Sequence, residues 1–191
     1  MTDIRGMVET ALREVLASRT EWDEPPELYY IVRDRRADHV HARGLPFPDV
    51  VWGIMEPTEL LHRMGAVALE HGVPALAIDG AEFEYVGAAF RYEAWGVHQD
   101  PYDLITELAA EERQLHLHPD RREGRVINAA IPEGTVSVIE DRVTGNVEVV
   151  HVGDGYETEG GGRVTTALTR ILFALRGGLH FDPATGGVPG A

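Results

Sequence analysis

His116 and His118 are the most ligand-like pair in this chain, because residues two apart on an extended segment project to one side and can bind one metal ion. Asp120 and His151 are the candidates to complete the coordination, and the implied activity is that of a hydrolase-type enzyme holding a divalent metal. No other cofactor is predicted. The spacing permits a metal without requiring one, and the plainer reading leaves both histidines in solvent or at a helix end. His39 and His41 repeat the spacing with a weaker claim.

A second candidate for chemistry is Glu93. A carboxylate set against aromatic rings can have a raised pKa and serve as an acid or base, and Phe90, Tyr92 and Trp95 would line and bind in such a pocket. Strand alternation puts Glu93 and Trp95 on one face. The competing reading makes Glu93 the cross-strand partner of an arginine such as Arg125. Gly160-Gly161-Gly162 ahead of a helix could cradle phosphate through free backbone N–H groups, but no lysine follows and Glu157 and Glu159 would repel an anion. A hinge explains the glycines better. Ser18 and Ser137 are the only serines and neither lies in a nucleophile-elbow pattern, which argues against serine hydrolysis.

Composition narrows the field further. The chain has 191 residues, 43% of them hydrophobic, which suits one domain with a real core. We expect a single α+β domain over residues 1–176, followed by a flexible glycine- and proline-rich tail over 177–191. There is no cysteine, so disulfides, thiolate nucleophiles and cysteine zinc sites are excluded. All 17 basic residues are arginine, which excludes lysine Schiff bases and a P-loop lysine. The net charge of −15 opposes binding to nucleic acid backbones. No apolar run reaches the roughly 18 residues of a membrane helix, and no secretory pattern opens the sequence, so a cytoplasmic protein away from the membrane is expected.

The elements that would position these residues centre on 125–152. Three runs, Val126 to Ile131, Val136 to Asp141 and Val147 to Val152, are separated by turn residues at Pro132-Glu133-Gly134 and Gly145-Asn146, which predicts an antiparallel meander. Upstream, Glu82 to Val97 reads as one long aromatic strand whose apolar face changes parity. Phe83 and Tyr85 are odd, whereas Phe90 and Tyr92 are even, so a bulge near Gly87-Ala88-Ala89 is needed to return both sets to one side. Arg91 and Glu93 would then face away from the rings, toward water. Glu27 to Arg33 reads as a strand, and His39 to His41 as a short one.

Helices are predicted from Thr2 or Asp3, from Pro57 to Gly72, from Asp100 to about Gln114, and after Gly162 with Val164, Leu168, Ile171, Leu172 and Leu175 as the buried stripe. Residues His116 to Gly124 read as a mobile surface linker. The fold expected is α+β: an antiparallel sheet of about five strands, with the N-terminal, central and C-terminal helices packed mainly on one face.

With no complete catalytic constellation and an acidic surface, the leading reading is a small acidic protein-interaction or adaptor domain. It would recognise a protein partner or associate with itself through an aromatic strand or sheet edge. The alternative is the hydrolase-type enzyme using a His-bound metal or the Glu93 carboxylate. A third reading is an inhibitor that mimics nucleic acid.

Overall fold

The computed structural model describes residues 3–45, 47–74, 83–97, 121–153, 162–178 and 180–181. Its elements are α1 (Ile4–Ala17), β1 (Glu27–Asp34), β2 (His39–Gly44), α2 (Asp49–Trp52), α3 (Pro57–His71), β3 (Val73–Pro74), β4 (Phe83–Val97), β5 (Arg121–Ile131), β6 (Gly134–Asp141), β7 (Val147–Val152), α4 (Arg163–Arg176) and β8 (His180–Phe181). The predicted helix from Asp100 lies outside the described residues.

Six strands form one antiparallel sheet in the order β2-β1-β4-β5-β6-β7, so the α+β reading holds with one strand more than expected. The meander is β5-β6-β7. Its first turn is closed by Ile131 opposite Gly134, which takes a φ of 129°, and its second contains Gly145 at a φ of 68°, conformations that suit glycine. Strand β5 begins at Arg121, inside the segment read as linker, because Arg121 to Gly124 pair with Val97 back to Ala94.

The parity change in β4 is resolved by an irregularity next to the glycine. Ile31 pairs with Gly87 and Val32 with Tyr85, so Val86 is the extra residue. Phe83, Tyr85, Phe90 and Tyr92 consequently join one core cluster, while Val86 and Ala89 join the other. A Cβ on Gly87 would come within 2.8 Å of the Ala130 carbonyl oxygen, so the strands approach too closely there for a larger residue.

The sheet is covered on both faces. On one, α2, α3 and α4 bury Trp52, Leu61, Leu168, Ile171 and Leu172 against Tyr30, Ala88 and Phe90. On the other, α1 buries Val8, Leu12 and Leu16 against Ile31, Ile127, Val136 and Val138. The N-terminal helix therefore departs from the majority face. The reason is in the strands: β1 is buried along both sets of side chains, Leu28 and Tyr30 on one side and Tyr29 and Ile31 on the other, and each apolar set needs a cover.

Local chemistry sets the helix ends. The Asp3 carboxylate accepts from Gly6 N at 3.0 Å to cap α1. Glu56 accepts from Thr58 N and Glu59 N ahead of Pro57, and Gly72 closes α3 at a φ of 82°. All five predicted stripe residues of α4 are buried. Within the segment read as tail, His180 and Phe181 pair in parallel with Val73 and Pro74. Among the described residues no helix is long and apolar enough to cross a membrane.

Candidate functional site

Among the described residues the helices do not cover the sheet evenly. The main sheet contacts of α4 are with β4 and β5, and the face continues past it onto β6 and β7. There a hollow of about 550 Å³ opens over Tyr92, Ala94, Val126, Asn128, Ser137, Ile139 and Val150. Cross-strand register builds its floor: Tyr92, Val126, Ile139 and Glu148 stand in one row, and Phe90, Asn128, Ser137 and Val150 in the next.

Three side chains of this floor form a hydrogen-bonded chain. Ser137 Oγ donates to Asn128 Oδ1 at 2.6 Å, and Asn128 Nδ2 donates to the Tyr92 hydroxyl oxygen at 3.1 Å. Burial pushes the Tyr92 hydroxyl pKa up, the Asn128 bond partly offsets this, and the Glu56 charge adds to the rise, so Tyr92 stays neutral at physiological pH. Its own hydrogen remains available for a ligand acceptor. Phe90 is fully buried, its ring stacked on that of Tyr92 at 5.3 Å and tilted against Trp52 at 5.5 Å. Trp95 borders the hollow, 45% exposed under the Arg121 guanidinium at 5.3 Å. Of the predicted binding residues, Tyr92 and Trp95 reach the hollow and Phe90 supports it from the core.

Two carboxylates stand at its border, Asp141, 3.6 Å from Arg122, and Glu148, whereas the Glu123 carboxylate turns to the Glu93 side and meets Arg142 at 2.7 Å. Asp141 also holds the turn: it accepts from Thr144 N at 2.7 Å and Val143 N at 2.9 Å, and these bonds, led by that to Thr144, keep its pKa below the ordinary carboxylate value.

Glu93 lies on the opposite side of β4 from Tyr92. It stands in register with Arg125, at 3.9 Å, and both its oxygens accept from Asp23 N at 3.0 Å. The structure thus gives Glu93 the cross-strand arginine and does not bring it together with Phe90 and Tyr92. Arg91 faces away from the rings as its parity requires, yet it is buried to 1% exposure rather than turned to water. The segment from Arg19 to Glu27 supplies the reason. Arg91 donates to the Pro25 carbonyl at 2.9 Å and pairs with Glu24 at 3.0 Å and Glu27 at 3.5 Å. Arg125 donates to the carbonyls of Arg19 and Glu21 and lies 3.6 Å from Glu140.

His151 projects from β7 beside α1 and contacts Glu9 at 3.2 Å. His116, His118 and Asp120 lie outside the described residues. The ligand atoms of Asp23, Glu93 and Glu123 come within 4.8 Å of one another, with Arg142 against Asp23 and Glu123 and Arg125 against Glu93.

Asn128 and Ser137 are the participants that sequence reasoning missed. Their signal was a polar residue at an inward position of an otherwise apolar meander strand, and only the register shows that the two are neighbours. Comparison with protein-family models, curated proteins and solved structures finds no match for this chain. The class that fold and site define is an α+β domain in which, among the described residues, one sheet face is partly uncovered and bears neutral hydrogen-bonding groups.

Proposed function

We propose that this chain is a protein-interaction domain, of adaptor type, that docks a partner segment in the hollow over β4 to β7. The observation that carries this is the Ser137-Asn128-Tyr92 chain set among Val126, Ile139 and Val150: apolar floor for burial, and neutral donors and acceptors for orientation. Such a mixture suits recognition of a backbone or side-chain amide, and it contains no paired acid and base and no activated nucleophile. The acidic border and the net charge of −15 favour a positively charged partner by electrostatic steering. No observation among the described residues favours the hydrolase reading: Glu93 is engaged with Arg125 and His151 with Glu9. Nor does one favour nucleic acid mimicry, since Glu9, Glu59 and Glu84 are each paired with arginine.

The test compares binding partners captured by the wild-type chain with those captured by Ile139→Arg and Val150→Arg, which fill the hollow, and by Val67→Arg on the exposed side of α3. The reading expects a partner retained by wild type and Val67→Arg, weakened about tenfold or more by the hollow variants, and weakened further by salt. Partners held equally by all four proteins would overturn it.

A further inference from the structure

Among the described residues β7 ends the sheet, and its outer edge has a pattern that can be read residue by residue. Asp141 N donates to Asn146 O at 3.0 Å, which makes 141 and 146 a hydrogen-bonded pair. Alternation along an antiparallel ladder then directs the backbone groups of Glu148, Val150 and Val152 toward β6, opposite Ile139, Ser137 and Thr135. The N–H and C=O groups of Val147, Val149 and His151 point the other way, to the open edge.

That edge carries few of the features that protect edge strands. The chain has no lysine, β7 has no proline, and Glu148 is its one carboxylate among Val147, Val149, Val150 and Val152. The opposite edge differs: β2 carries Arg43, His39 and His41 and lies under α1.

We propose that β7 pairs with β7 of a second copy of this chain, antiparallel, about a two-fold axis through Val149. The outward groups complement themselves in that register. Val149 faces Val149 of the partner subunit, and Val147 faces the partner's His151 on both sides of the axis, each pair exchanging both N–H···O bonds. A two-fold axis relating antiparallel edge strands in one sheet is normal to that sheet, so like faces stay together. Both α1 helices lie on one side of the joined sheet, and both hollows open on the other, each bordered by its own Glu148 and Val150. The dimer rests on the backbone pattern alone. It does not depend on what the hollow binds.

Sedimentation equilibrium of the full chain is expected to give twice the 21.0 kDa of the monomer. Val149→Pro removes an outward donor but none that β6 uses, so it should return the mass to the monomer with the circular dichroism spectrum unchanged. The absence of native cysteine makes register directly testable. In a Val149→Cys variant the two thiols meet across the axis, at about the 5.5 Å Cα separation of a hydrogen-bonded pair, and mild oxidation should cross-link most of the protein. Val147→Cys alone should not cross-link, whereas Val147→Cys with His151→Cys should. A monomer at all concentrations up to about 100 μM, well above ordinary micromolar association, would overturn the proposal. So would a dimer indifferent to Val149→Pro, or cross-linking through Val147→Cys but not Val149→Cys. If Val149→Pro unfolds the chain, the cysteine pattern decides alone.

Discussion

The Arg125 guanidinium lies 4.5 Å from the centre of the Trp22 ring, joining β5 to the irregular segment that leads from α1 to β1. The same ring carries Arg142 at 5.1 Å. Arg125 is 1% exposed, so this contact belongs to the interior of the fold and its loss should be felt throughout.

Replacing Arg125 with alanine leaves Glu93 and Glu140 without their buried cation and the carbonyls of Arg19 and Glu21 without a donor. The expected loss is about 3–5 kcal/mol, read from urea unfolding. Arg125→Lys should recover only part of it, because an ammonium can neither stack on Trp22 nor reach both carbonyls with a planar fork. Full recovery with lysine would show that charge alone matters there.

Trp22→Ala removes both cation-ring contacts while leaving the ion pairs in place. A cost of about 0.5–2 kcal/mol is expected, with faster proteolytic cleavage between Arg19 and Pro26 than in the wild-type chain. Unchanged cleavage would mean that the buried arginines hold this segment without the ring.

Gly65→Ala should destabilise the fold even though alanine is the better helix former. A Cβ at this position would come within 2.8 Å of the Ala167 Cα and carbonyl oxygen, where α3 and α4 cross. Overpacking of this kind costs about 1–3 kcal/mol against a propensity gain of about 1. Because the contact is with backbone, adding Ala167→Gly should not restore the melting temperature.

Acidification should lower stability in two steps. His41 is held below its ordinary value of 6.5, by burial first and then by the Arg43 and His39 charges, so the unfolded chain takes up its proton first. Its contribution is complete above about pH 6.5 and is lost as pH falls through the folded value. Glu27 follows at lower pH. Burial raises its pKa, but hydrogen bonds from Tyr29 and Arg19 and the charges of Arg91 and Arg19 outweigh that and leave it below 4.5, so its contribution disappears as pH drops from there. Stability measured against pH should lose the upper step in His41→Gln and keep the lower one.

In the hollow, Asn128→Ala removes the donor that lowers the Tyr92 pKa. The tyrosine ring-carbon signal should titrate at higher pH than in wild type, with a stability cost of about 1 kcal/mol for the lost bonds. A Tyr92 titration that does not move would show that Asn128 is not its partner in solution.

The sequence by itself determined the elements that depend on neighbours along the chain. The meander turns follow from Gly134 and Gly145, the α4 stripe from its spacing, and the β4 irregularity from the parity of Phe83 and Tyr85 against Phe90 and Tyr92. These are short-range constraints of backbone geometry and side-chain period, and a single strand or helix carries them whole. Tertiary structure alone decided that α1 covers the second face, that Arg91 and Arg125 are interior, and that Asn128 meets Ser137 and Tyr92. An arginine in a strand reads as a surface residue until distant carbonyls and carboxylates surround it, here those of residues 19–27. The free energy of burying a charge depends on its partners, and the carbonyls of Pro25 and Arg19 that accept from these two arginines lie 66 and 106 residues away along the chain.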